Sequence, residues 1–268
     1  MPRLTGPIID IHCHVLPGID DGARDMSESL EMARIAVQDE IATIITTPHH
    51  LPRSGLSAVE EAARRVNALQ DKVDENKLAL RLHPGQEIAV QPELPLLLEK
   101  KEAVPLNGTR YVLIEPPFIA YPVYMDDLLF QVQLQGRAPI VAHPERCAGI
   151  QKEPDILLRL VQRGILAQMN TGSLLGHYGE EAKQTAEVLL RRGLVHLLAS
   201  DAHHATGPRV PQMTEGVLAA AKLVGEEQAW AMVTTNAQAV VEGRPVRTPE
   251  LSARTARRTG GVFSFFKR

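Results

Sequence analysis

The sequence predicts an α/β fold, a single barrel of parallel strands, on three observations. Short apolar runs alternate with longer segments of helical periodicity, the pattern of βα units wound round a parallel sheet. The chain has 268 residues, long for one ordinary domain but matched to the roughly 250 over which an α/β barrel closes as a unit. The apolar runs also end in polar residues, as barrel strands do where their C-terminal ends converge on one mouth.

Seven runs are predicted as strands. The first, PIIDIHCH (7–14), leads to a helix over 27–40, with Ser27 at its start followed by Leu30 and Glu31. IATIITT (41–47) follows, then a helix over 57–76 that opens with Ser57 and Glu60 at capping-box spacing. LALRLHPGQE (78–87) and YVLIE (111–115) are the next two strands, the second leading to a helix over 126–136. APIVAH (138–143) precedes a helix over 154–164, ILAQMN (165–170) precedes one over 180–193, and VHLLASD (195–201) is the last strand. Several of these helices end in Gly, a common stop. Residues 214–243 read as two or three closing helices, so the barrel domain is expected to span 1–246. The remainder, 247–268, is basic and rich in Thr and Ser, and ends in an aromatic-basic cluster; it is expected to be a flexible tail.

Composition narrows the class. Hydrophobic residues make up 44% and charged residues 23% of the chain, ordinary globular proportions with enough apolar material for a sizeable core. The 29 basic and 32 acidic residues leave a net charge of -3, which gives no overall nucleic-acid footprint. The two cysteines, Cys13 and Cys147, read as reduced thiols. No basic segment followed by an apolar one marks the N-terminus as a signal peptide, and no apolar run approaches the ~18 residues of a membrane span. The expectation is a cytoplasmic protein.

The strand ends carry the chemistry. The first run ends with His12 and His14 and is followed by Asp20 and Asp21; the second runs into His49 and His50; the third and fourth end at Glu87 and Glu115. The fifth ends in HPER, with His143 and Arg146, the sixth at Asn170, and the seventh in SDAHH, with Asp201, His203 and His204. Residues two apart on a strand point to the same side, so His12 and His14 project together, and the same spacing recurs in Asp201 and His203. Imidazole and carboxylate donors without thiolates suit Zn, Mn or Fe, and so many carboxylates suit a multinuclear hydrolytic site. Taken singly, Asp20 and Asp21 before Gly22 read as a turn or cap, and Glu87 and Glu115 as solvated strand ends. Seven strands that all end this way by accident is the reading we set aside. His83, His177 and His196 have no His or acidic partner at same-face spacing and are assigned ordinary hydrogen-bonding roles.

Together, DIHCHVLPGIDDGA, TPHH, GQEI, LIEPP, HPER, NTGSL and SDAHH resemble the polymerase and histidinol phosphatase (PHP) family, and within it the bacterial capsule-biosynthesis branch of metal-dependent protein-tyrosine phosphatases. The resemblance covers residues 8–243. It implies a distorted (β/α)7 TIM-like barrel holding three divalent metals, with Mn favoured and Fe or Zn as alternatives. It further implies that His12, His14, Glu87 and Asp201 hold one metal, that Glu87 bridges to a second completed by Glu115 and His143, and that Asp21, His49 and His203 hold the third. Arg146 and Arg209 match phosphate-binding positions, and with Asp201 and His203 they form the implied catalytic group.

The implied reaction is hydrolysis of phosphotyrosine by a metal-bound hydroxide, on a bacterial tyrosine kinase that regulates capsular or exopolysaccharide synthesis. Clustered divalent metals lower the pKa of bound water and clamp phosphoryl oxygens during in-line displacement. A cysteine nucleophile is not expected, because a C-x5-R loop from Cys147 would need arginine where Glu153 stands. Two other readings compete: a phosphatase for a small metabolite such as histidinol phosphate, and a catalytically idle barrel that binds a partner through its mouth or tail. The tail's aromatic and basic residues could also meet a kinase partner or an acidic membrane surface.

Overall fold

The computed structural model describes residues 6–49 and 55–248; His50 and the segment from 249 onward lie outside them. Among the described residues, eight strands pair in parallel throughout. β1 (Ile8–Cys13), β2 (Ile41–Thr46) and β3 (Arg81–Pro84) form one sheet in that order. β4 (Glu87–Ala89), β5 (Tyr111–Glu115), β6 (Ala138–Ala142), β7 (Leu166–Asn170) and β8 (Leu197–Ala199) form the other. The sheets meet at both edges. Pro84 leads into Glu87 through Gly85 and Gln86, and beyond β8 the chain pairs with the end of β1: the Asp201 N–H donates to the His12 carbonyl at 2.9 Å and the His14 N–H to the Ala202 carbonyl at 2.8 Å. The result is a distorted parallel α/β barrel.

Strand alternation sorts the apolar side chains into two layers. Ile9, Ile11, Ile45, Leu113, Ile140 and Leu197 pack together inside the ring. Ile8, Ile44, Leu82, Val112, Val141 and Leu198 face outward, under the helices. Those helices are α1 (Met26–Gln38), α2 (Ala58–Glu75), α3 (Leu94–Glu99), α4 (Met125–Leu134), α5 (Ala148–Lys152), α6 (Asp155–Gln162), α7 (Thr171–Leu174) and α8 (Glu180–Arg191). Three more, α9 (Thr214–Val224), α10 (Glu226–Val233) and α11 (Thr235–Glu242), follow among the described residues. Ala237 and Val240 of α11 join the inner apolar layer beside Ile9 and Tyr111 and so plug the N-terminal end of the ring. The opposite end is left for polar groups.

The third predicted strand is two. Gly85 sits so close to β2 that a Cβ there would lie 2.8 Å from Ile45 Cγ2 and 3.1 Å from the Thr46 carbonyl oxygen. Gln86 then turns its amide to accept from the Val104 N–H (3.1 Å) and donate to the His49 carbonyl (3.0 Å), which interrupts the ladder and starts a new one at Glu87. The last predicted strand also shortens to three residues, Leu197–Ala199, and just beyond its C-terminal end Asp201 adopts φ 51°. The capping box of α2 is present, with Ser57 and Glu60 bonded reciprocally. α1, in contrast, starts one residue before Ser27, and its cap is Asp25, whose side chain accepts from the Glu28 N–H. Hydrogen bonding continues past residue 243: the Tyr111 hydroxyl donates to the Arg244 carbonyl at 2.6 Å and accepts from the Val246 N–H, and Asn236 donates to the Arg247 carbonyl.

Candidate metal centre

His12 lies on β1 and His14 just beyond it, both fully buried. Each ring is oriented through Nδ1: His12 to Gln168 Oε1 on β7 (2.9 Å), His14 to Asp20 Oδ2 (3.0 Å). An acceptor at Nδ1 places the proton there and leaves the Nε2 lone pair facing inward, the arrangement that prepares an imidazole to bind a cation. The two Nε2 atoms stand 3.3 Å apart, Glu87 Oε2 is 3.2 and 3.3 Å from them, and Asp201 Oδ1 is 3.5 and 3.8 Å away. The Gln168 amide is itself set by Asn170, which accepts from it at 3.0 Å and donates to Asp201 Oδ2 at 2.7 Å.

Two further donor groups adjoin this one. His14, Asp21, His49 and His203 offer atoms that all lie within 4.8 Å of one another, as do His49, Glu87 and Glu115. In the first of these, Asp21 Oδ1 is 3.5 Å from His49 Nε2 and 3.3 Å from His203 Nε2. His143 stands on the far side of Glu87, with its Nε2 2.8 Å from Glu87 Oε1 and 3.7 Å from Glu115 Oε1. Its Nδ1 is buried without a hydrogen-bond partner among the described residues. His143 and Asp201 both have left-handed backbone conformations, φ 29° and 51°, which cost a non-glycine residue about 1–2 kcal/mol and concentrate at functional sites. Asp201 and His203 therefore come together, 3.5 Å apart, through a turn and not through strand alternation.

The electrostatics ask for cations. Burial opposes charge on His14, yet hydrogen bonds to Asp20 and Glu87 push its pKa up to about 10. Burial likewise opposes charge on Glu87 and Asp201, but the neighbouring His12 holds both carboxyls below their usual range. Glu115 is shifted the other way, raised by burial and by the negative charge of Glu87. Acidic groups that draw protons onto adjacent imidazoles create a field that divalent cations satisfy better, and the donor atoms are of the hard and borderline kinds that Mn, Fe and Zn accept. The residues present thus fit the binding of divalent metal.

Two arginines close the mouth around Asp201. Arg146 Nη1 reaches Asp201 Oδ2 at 2.8 Å, and its guanidinium lies between the rings of Phe118 (4.4 Å) and Tyr178 (4.3 Å). Arg209 Nη2 is 3.0 Å from Asp201 Oδ1 and 2.9 Å from His203 Nε2; the His203 N–H donates to the Arg209 carbonyl, so a short loop returns the arginine to the site.

All the predicted site residues, His12, His14, Asp21, His49, Glu87, Glu115, His143, Arg146, Asp201, His203 and Arg209, meet at this mouth. His204 turns away toward Glu28, 3.8 Å distant, and Cys147 is buried with its thiol pKa raised by burial. Sequence reasoning missed four contributors. Asp20 serves the turn, accepting from the Gly22 N–H, and at the same time orients His14. A buried glutamine, Gln168, in the middle of an apolar strand was the available signal for the His12 partner. Phe118 and Tyr178 gave none, since nothing local couples them to Arg146.

Acidic and imidazole donors gathered at the C-terminal ends of parallel barrel strands define a metal-site α/β barrel protein. The chain belongs to the capsular polysaccharide synthesis CpsB/CapC family, which matches residues 8–242, in accord with the motif resemblance to the capsule branch of the PHP family. It is 40% identical over 242 residues to the tyrosine-protein phosphatase YwqE of Bacillus subtilis, covering 89% of this chain and 93% of that protein. It is 30% identical over 243 residues to the tyrosine-protein phosphatase CpsB of Streptococcus pneumoniae, covering 87% and 98%. A crystal structure from work on YwqE and CpsB, described as unique metal-dependent tyrosine phosphatases, superposes with a TM-score of 0.84 at 36% identity, over 90% of this chain and 97% of that one. A dihydropyrimidinase from Brevibacillus agri shares the fold alone, with a TM-score of 0.51 at 12% identity over 92% of this chain and 73% of that one.

Proposed function

We propose that this protein is a metal-dependent protein-tyrosine phosphatase that removes phosphate from a bacterial tyrosine kinase controlling capsular or exopolysaccharide synthesis. The observation that carries the reading is the convergence of imidazoles and carboxylates from distant strands on one point, with Arg146 and Arg209 held beside it on Asp201. Three divalent ions, with Mn preferred, would be held as the motif resemblance implies: one by His12, His14, Glu87 and Asp201, a second by Glu87, Glu115 and His143, and a third by Asp21, His49 and His203. When bound, such ions acidify water and neutralise the charge of a phosphoryl group.

The chain's own groups do the rest. Arg146 and Arg209 present guanidinium forks that can leave Asp201 for the phosphoryl oxygens, a bidentate match that lysine lacks. Asp20 and Gln168 keep the His14 and His12 rings aimed inward. Water attacks phosphorus in line as the bond to the tyrosine oxygen breaks; a phenol with a pKa of about 10 leaves with little need of a general acid. Cys147, buried and held as a thiol, supplies no nucleophile. No described helix is long and apolar enough to cross a membrane, and the free cysteines Cys13 and Cys147 suit a reducing cytoplasm. A kinase or membrane contact by the tail belongs to residues outside those described.

The test compares a phosphotyrosine peptide with histidinol phosphate at matched concentrations and added Mn, alongside metal analysis of the purified chain. The reading expects preference for the peptide, loss of activity with a chelator, loss in His12→Ala and near-full activity in Cys147→Ser. Preference for histidinol phosphate would support the small-metabolite alternative, and loss in Cys147→Ser equal to that in His12→Ala would refute the metal-dependent mechanism.

A further inference from the structure

The loop between β5 and α4 is built unlike the rest of the mouth. Residues 116–124 (PPFIAYPVY) carry no charge, yet Ile119 is 89% exposed, Val123 97% and Phe118 45%. The loop is nonetheless held firmly. The Ala148 N–H donates to the Phe118 carbonyl at 2.8 Å, and the Tyr121 backbone presses on Gly149, where a Cβ would come within 2.6 Å of the Tyr121 nitrogen. The Tyr121 hydroxyl donates to Asp126 Oδ1 at 2.5 Å. Apolar side chains fixed in solvent by a rigid backbone are costly for a monomer and mark recognition surfaces.

Phe118 connects this surface to the site. The Arg146 guanidinium covers one part of its ring at 4.4 Å, the His143 ring centroid lies 5.7 Å away, and the remainder of the ring is open to solvent. A phosphotyrosine whose phosphate sits at Arg146 would bring its own ring to Phe118, and the residues beside it would pass over Ile119 and Val123. Resting on the phosphatase reading above, we propose that the 118–124 loop is the docking lip for an extended phosphotyrosine segment of the protein substrate, one with apolar side chains next to the phosphotyrosine. Phe118 receives the aryl ring, and Ile119 with Val123 receives the flanking apolar side chains.

The double variant Ile119→Ser/Val123→Ser tests the lip without touching the core, since both side chains are exposed. Its kinetics are compared with wild type on a phosphotyrosine peptide with apolar flanks and on p-nitrophenyl phosphate, whose ring can meet Phe118 but which has no flanking residues to reach Ile119 and Val123. A non-hydrolysable phosphonate version of the peptide supplies a binding measurement by fluorescence anisotropy. The lip predicts a rise of about tenfold or more in KM for the peptide and in Kd for its phosphonate, with kcat and the p-nitrophenyl phosphate KM within twofold of wild type. Unchanged peptide KM and Kd overturn the lip while leaving the phosphatase reading intact. Wild-type protein that is inactive on the peptide sinks both. A change only in the sedimentation of the protein, with peptide KM and Kd unmoved, would instead make the loop a contact between copies of this chain and overturn the proposal.

Discussion

Asp20 shows how one residue can serve a local turn and a distant site. Its carboxylate accepts from the Gly22 and His49 N–H groups and holds His14 Nδ1, and these bonds keep it ionised well below the usual range even against burial. Partners that orient a metal-binding histidine are typically worth 10–100-fold in metal affinity. Asp20→Asn is therefore expected to weaken Mn binding by about that factor in a competition assay with a chelator. His196 makes a different residue-level prediction. Burial lowers its pKa to about 4, its Nδ1 accepts from the Ala167 N–H at 3.1 Å, and it is neutral in the fold. The unfolded chain protonates near 6.5, so between pH 6.5 and 4 unfolding takes up a proton and stability falls as the pH drops, by about 3 kcal/mol in all. Asp10, pushed up to about 6 by burial, slopes the opposite way, so the readout is the difference in unfolding free energy between wild type and His196→Gln. That difference should change across this window and stay constant above pH 7.

At the scale of elements, what the sequence made legible is the material with a strong period. The apolar runs of β1, β2, β5, β6 and β7 and the long helices α2 and α8 stand within a residue or two of their expected places. The short helices α3, α5 and α7 were not legible, because six residues or fewer do not complete enough turns to show a 3.6-residue period. Nor was the break at Gly85, whose cause is the proximity of Ile45 and Thr46 and not any local propensity. Gly85→Ala forces a methyl against β2 at a packed joint, and overpacking of this kind typically costs about 1–3 kcal/mol. Because the displaced residues carry Glu87, chemical denaturation of the metal-free variant should show that loss, and Mn affinity should fall with it.

For the whole molecule, the ends of the barrel decide what can be removed. Asn236, Tyr111 and the residues from 244 to 247 share hydrogen bonds across the N-terminal end of the ring. Ending the chain after Gly243 removes both partners of the Tyr111 hydroxyl, and at about 1 kcal/mol per bond and about 2–4 °C per kcal/mol the midpoint should fall by several degrees in a thermal melt.

By itself the sequence determined the alternation of strand and helix and the polar character of each strand end, since these follow from periodicity and composition within a few neighbours; the choice of donors among those ends came from the motif resemblance. Tertiary structure decided which donors share a point. Glu87 meets His12, His14, His49 and His143 because β4 begins a second sheet that returns to β1 through Asp201 and Ala202. It also decided that Arg146 lies between two aromatic rings. Closing the ring of strands brings together residues far apart in the chain, and contacts of that kind leave no trace in any local stretch of residues.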